Sequence, residues 1–207
     1  MATYTSPQNG TTLDTFLNSN AATTNYNTDV LVYIGEYAPA GTIIARTLMQ
    51  FPGLTNGTVP SYAAIISAKL YLRINGDFST NARTFRVYRS KRDVNISQAT
   101  WNIWKTGSSW STAGGFHADD CEQTDIGSLS FTATDSGWKE FVLTPSAIQA
   151  IVNGTWTTPT LMLKADTETD DQYGFDSSNA GTSTDRPYLV VEYLVGGQEI
   201  LAPMWFM

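Results

Sequence analysis

The chain of 207 residues has one cysteine, one histidine and few charges. A lone Cys121 excludes an intramolecular disulfide framework and a cysteine-based zinc site, and its expected place is a buried thiol. Charged residues make up 15%, against about 25% in an average soluble domain, and the net charge is −7. That acidic balance argues against general nucleic-acid binding, which draws its affinity from basic surfaces. No apolar run reaches membrane-spanning length. The opening "MATYTSPQNGTTLDTF" has neither a basic n-region nor an apolar h-region, so the expectation is a chain that is not exported by the usual route. The sequons at Asn9, Asn56, Asn95 and Asn153 then carry little weight.

The scarcity extends to catalytic groups. His117 stands in "GGFHADDCEQTD", four residues before Cys121, and nucleophilic catalysis of the Cys-His or Ser-His kind needs such a base. No further motif accompanies the pair, so a polar loop is the expected reading and the chain is read as a non-enzyme. A carboxylate pair for glycoside hydrolysis would have to come from a few loop acids whose separation the sequence does not give.

What is present is β-structure. Hydrophobic residues reach 42%, and aromatic and β-branched side chains are spread along the whole chain. "AKLYLRI" alternates Ala68, Leu70, Leu72 and Ile74 with Lys69, Tyr71 and Arg73, and "TFRVYRS" sets Phe85 and Val87 against Arg86 and Tyr88. Further strands are expected over 30–35, 43–51, 128–134, 139–143, 160–164 and 187–194, separated by turn clusters such as "INGDFSTNA" and "TATDSG". One helix is expected in "TPSAIQAIVNG": Thr144 is the N-cap, Pro145 the first helical residue, and Asn153-Gly154 the stop. Ile148, Ile151 and Val152 give it an apolar stripe for the sheet. The pattern predicts an all-β fold, a two-sheet sandwich or barrel with one short helix. It forms a single domain over residues 1–195 with a short N-terminal arm, followed by a tail over 196–207.

Six fragments resemble, in order, the disaggregatase-related or DNRLRE-type domain. They are "LDTFLNSNAATTNYNTDVLVYIGEY", "ARTLMQFPGL", "ISAKLYLRI", "ATWNIWKTGSSWSTAGG", "GWKEFVLTPSAIQAIVNG" and "DRPYLVVEY", spanning residues 13–193. The sequence departs from the pattern at "FPG", where a Phe-Asp is usual, and at "FVLT", where Phe-Asp-Val-Thr is common. The resemblance implies a jelly-roll β-sandwich of the kind grouped with carbohydrate-binding modules. It also implies that Trp101-Asn102 is structural, with its loop tucked over the sandwich.

Candidate sites follow from residue type and position. Trp104 and Trp110 are the stacking candidates for sugar rings, while Trp138 and Trp156 are expected in the core or against the helix. The run "RTFRVYRSKRD" carries Arg83, Arg86, Arg89, Lys91 and Arg92, with Arg86 and Tyr88 on one face. Such a field suits a uronate polymer, a carboxylate-rich protein surface or a phosphate, and Lys69 and Arg73 extend it if the strands pair. The competing reading is an edge strand blunted by charge. No cofactor is expected. The acids of "KADTETDDQYGFD" and "FHADDCEQTD" are read as solvated loops; calcium is the alternative, held by Asp166, Glu168, Asp170 and Asp171.

Two functions compete. The apolar tail residues Ile200, Leu201, Met204, Trp205, Phe206 and Met207 suit insertion into a neighbour. They point to a structural component of a larger particle, such as a bacteriophage decoration, tail or fibre protein, as a homo-oligomer or lattice contact located in the virion. The alternative is a free, extracellular carbohydrate-binding module that recognises an acidic polysaccharide or a host surface glycan.

Overall fold

The computed structural model describes residues 1–6, 12–37, 42–77, 82–132, 134–169 and 171–196. The strands are β1 (Ala2–Thr5), β2 (Leu13–Asn18), β3 (Leu31–Tyr37), β4 (Ile43–Gln50), β5 (Ala64–Asp77), β6 (Arg83–Arg89), β7 (Ile103–Lys105), β8 (Ser108–Ser109), β9 (Gly127–Phe131), β10 (Gly137–Leu143), β11 (Thr160–Ala165), β12 (Tyr173–Asp176) and β13 (Tyr188–Leu194). The helix α1 (Pro145–Val152) joins β10 to β11.

Two antiparallel sheets form a sandwich of jelly-roll type. The first runs β1, β13, β5, β10, with β12 and β3 continuing it; the second runs β2, β4, β11, β6, β9. The long strand β5 holds the first sheet together, pairing with β13 and β12 along one edge and with β10 along the other. Strand β3 joins the layers: residues 31–34 pair with β12 and residues 35–37 with β4. The corner falls at Gly35, where φ is +102° and a Cβ would stand 2.4 Å from the Asp171 carbonyl oxygen, so only glycine fits.

The predicted alternation holds where it was clearest. Ala68, Leu70, Leu72 and Ile74 are buried in the main core with Phe85, Val87, Phe131, Phe141 and Phe175. Ile148, Ile151 and Val152 of α1 join them, and Gln149 Oε1 accepts the Ile65 N–H, tying helix to sheet. Thr144 is the N-cap by backbone alone: its carbonyl accepts from Ala147 while its hydroxyl makes no cap bond. Gly154, at φ +79°, ends the helix.

Strands β1, β2, β7, β8 and β12 were not anticipated. Strand β12 is buried at every residue, so it carries no alternation to read. Strand β6 is not an edge strand, because β11 flanks it on one side and β9 on the other. Its charges therefore do not guard an edge.

Residues 90–126, between β6 and β9, fold over the outer face of the second sheet. They build a second hydrophobic cluster, in which Val94, Ile96, Ala99, Trp110 and Cys121 pack on Leu17, Leu48, Tyr88 and Met162. Trp101, Trp104 and Phe116 rim it. The excursion thus covers much of one face of the sandwich.

Candidate ligand-binding face

Three of the residues expected to meet a ligand are buried or held by protein partners. Trp110 is buried, and its indole N–H donates to the Thr100 carbonyl at 2.9 Å. Tyr88 is buried beside it, edge-on to Phe116 at 4.8 Å. Arg86 shares the face of Tyr88, as expected, but pairs with Asp125 at 3.3 Å. Trp104 is half-buried at the rim, with Lys105 Nζ 4.4 Å from its ring centre. The Trp101-Asn102 turn is structural: Arg46 lies 5.1 Å over the Trp101 ring, and the Gly114 N–H donates to the Trp101 carbonyl at 2.6 Å.

The basic run is neutralised in place. Arg83 meets Asp171 at 3.1 Å, Arg89 meets Glu122 at 3.7 Å, Lys91 meets Glu122 at 3.5 Å and Arg92 meets Asp120 at 2.7 Å. Three of the partners, Asp120, Glu122 and Asp125, come from "FHADDCEQTD", so one loop read as acidic and one strand read as basic compensate each other. Arg89 also lies 4.3 Å over the Trp156 ring, and burial lowers its pKa. Lys69 and Arg73 do not extend this field, because β5 belongs to the other sheet.

The acids named for calcium have other partners. Glu168 gives both oxygens to Arg46, at 2.7 and 2.8 Å, and Asp171 accepts from the Glu36 N–H at 2.8 Å as well as from Arg83. Asp166 accepts from the N–H of its neighbour Thr167, and Asp170 lies outside the described residues. Among the described residues no group of three acidic, histidine or cysteine side chains is placed to hold a metal ion. Cys121 Sγ donates to the Arg89 carbonyl, and burial pushes the thiol up to about 12. His117 Nδ1 accepts from the Asp119 N–H, so the two side chains of the Cys-His reading face different partners.

Open aromatic surface lies on the outer side of the first sheet. Register aligns Glu140, Tyr71 and Tyr188 across β10, β5 and β13, with Trp138 opposite Arg73 one step along. Tyr71 and Tyr188 stack at 4.6 Å with 9° between their planes, and Trp138 meets Tyr188 edge-on at 5.2 Å. Trp138 remains 39% exposed, contrary to the expectation of a core residue. The alternation of "GWKEFVL" held the signal: with Phe141 and Leu143 inside, Trp138, Glu140 and Val142 must point out.

Charged groups frame these rings. The Tyr71 hydroxyl donates to Glu140 at 2.5 Å, and Lys69 meets the same carboxylate at 3.0 Å. That hydrogen bond, more than burial, raises the Tyr71 phenol to about 12, and it holds Glu140 below its ordinary value with help from Lys69. Arg73 is clamped between Asp176 at 2.8 Å and Asp185 at 3.6 Å. Both cations of the face are matched by acids, leaving a pre-set array of aromatic and hydrogen-bonding groups with no excess positive charge.

Residues 7–193 match the model of carbohydrate-binding module family 96, and the chain belongs to that family. No curated protein matches the chain. Among the described residues no helix is long and apolar enough to cross a membrane.

Proposed function

From this family membership we propose that the domain is a non-catalytic glycan-binding module whose ligand lies across Trp138, Tyr71 and Tyr188. The observation that carries the proposal is the solvent-facing aromatic cluster on the three paired strands β10, β5 and β13. Sugar rings present C–H faces that pack on aromatic surface and hydroxyl edges that need hydrogen bonds, and Glu140, Lys69 and Arg73 supply those. The ligand is a neutral glycan. A polyuronate needs unpaired cations, and the cations of this face, like those of the 83–92 run, are engaged by acids. An array of neutral and uronic-acid oligosaccharides tests this: wild type retains neutral glycans, and Trp138→Ala loses them.

The apolar tail supports a second proposal, that the module is mounted on a larger particle such as a virion and meets glycans there. Ile200, Leu201, Met204, Trp205, Phe206 and Met207 lie outside the described residues, so the support is their sequence alone. Deletion of residues 197–207 is expected to leave the fold and glycan binding intact while abolishing self-association or particle attachment. Attachment that survives the deletion rules this second proposal out.

A further inference from the structure

The covered face of the sandwich has an opening of its own. Between the start of β2, the end of β4 and residues 93–97 lies a cleft of about 460 Å³, within the ~300–1,000 Å³ typical of small-molecule sites. Its apolar wall is Leu13, 44% exposed, with Val94 and Ile96. Its polar wall has three carboxamides, Asn27, Gln50 and Asn95, together with Lys105.

Each carboxamide keeps hydrogen-bonding capacity in reserve. Gln50 Nε2 donates to the Val94 carbonyl at 2.9 Å and to Thr160 Oγ1 at 2.7 Å, which fixes the side chain and leaves Oε1 unused among the described residues. Asn95 Oδ1 accepts from the Ser97 N–H and hydroxyl, leaving its Nδ2 donors unused among the described residues. The Asn27 side chain makes no hydrogen bond among the described residues, although its backbone is held by Asn25 and Asn179. The walls are braced from behind: Asn25 Nδ2 donates to the Ile96 and Ala99 carbonyls at 2.8 and 2.6 Å. Lys105 stands 3.4 Å from Asp93 Oδ2 with its ammonium over the Trp104 ring.

We propose that this cleft is a second saccharide site, so that one domain grips two glycan segments on opposite faces. Free carboxamides beside an apolar wall are the pattern that suits a sugar, which offers paired hydroxyl donors and acceptors at its edge and C–H groups on its face. A phosphate or carboxylate ligand is disfavoured by the Asp93 carboxylate beside Lys105, and a purely apolar ligand by the three carboxamides. Leu13 and Gln50 are register partners on the second sheet, whereas Trp138 lies on the first sheet's outer face. A single glycan segment does not contact both, and two sites facing apart cross-link polymer chains.

The inference rests on the glycan-binding reading, and amide NMR titration of the full chain with a mixture of cello-, laminari-, xylo- and mannohexaose separates the two. The expected result is two independent groups of shifting resonances, one around Trp138, Tyr71 and Tyr188, the other around Asn27, residues 94–97 and Lys105. Trp138→Ala then removes only the first group. Asn27→Ala with Lys105→Ala, which touches no buried contact of the main core, weakens the second by about tenfold or more. Shifts confined to the Trp138 group overturn the second site and leave the first standing. Shifts confined to the cleft overturn the platform and the cross-linking, and make the cleft the single site. No shift in either group overturns both.

Discussion

On the first sheet's outer face, Trp138, Tyr71 and Tyr188 stand toward solvent above paired charges, whereas on the second sheet's outer face Tyr88, Trp110 and Cys121 are sealed in a second core. The two faces draw on the same residue types, tryptophan, tyrosine and arginine, in strands of the same alternating pattern. What separates them is the 37 residues of the 90–126 excursion, which cover one face and leave the other open. An aromatic side chain therefore has a different setting on the two sides: buried in a second core beneath the excursion, open to solvent on the platform, where we propose that it meets a ligand.

The largest effect that tests this contrast is at Trp110. Trp110→Ala removes a buried indole and its hydrogen bond to Thr100, and is expected to cost about 3–5 kcal/mol in chemical denaturation. The matching Trp138→Ala is expected to change stability by less than about 1 kcal/mol. Equal costs at the two positions would dissolve the contrast.

Asp120 is the electrostatic counterpart inside the excursion. Its buried carboxylate accepts from Arg92, from the Ser111 and Thr112 N–H groups and from the Ser111 hydroxyl. Asp120→Ala strands those donors and is expected to cost about 3 kcal/mol, with the loss visible as exchange of the 90–126 amides before the main core opens.

Next in size is a pH effect at Asp14, on β2. Its buried carboxyl accepts from the N–H and hydroxyl of Ser178 but meets no cation among the described residues, and burial raises its pKa from 3.8 to about 6. The folded state thus binds the proton more tightly than the unfolded chain, so this group's stabilising contribution is present below pH 4 and is lost as pH rises from about 4 to 6. The shift corresponds to about 3 kcal/mol, and Asp14→Asn is expected to remove that component from the measured pH dependence.

The smallest effect lies on the open face. Glu140→Gln withdraws the charged acceptor from Tyr71, so the phenol is expected to titrate nearer 10 than 12, read by ultraviolet difference absorbance. Stability is expected to change by less than about 1 kcal/mol, because the carboxylate and Lys69 are both well exposed.

The sequence exposed the sandwich because alternation survives wherever one strand face is wet. "AKLYLRI" and "TFRVYRS" declared their inner residues, and the helix declared itself through Pro145, its apolar stripe and Gly154. Alternation does not say which wet-looking face a distant loop will cover. Tyr88 and Arg86 read as a surface pair, and only the fold of 90–126 buried the one and matched the other with Asp125. Long-range ion pairing is equally invisible: Arg83 and Asp171 lie 88 positions apart. Trp138 was legible in the phase of its strand, and the rule that large aromatics go inside misassigned it. The partner of Tyr71, by contrast, depended on the pairing of β10 with β5, which no local pattern specifies.

The proposed role of the open face is to bind a neutral glycan through its aromatic platform. Calorimetric titration of wild type and Trp138→Ala, each confirmed as folded, with neutral hexasaccharides and with a polyuronate tests it most directly. Wild type is expected to bind a neutral ligand more tightly than the polyuronate, and Trp138→Ala to lose at least about tenfold in that affinity with an unchanged melting temperature. Preferred binding of the polyuronate, or neutral-glycan affinity that survives Trp138→Ala, would contradict the account.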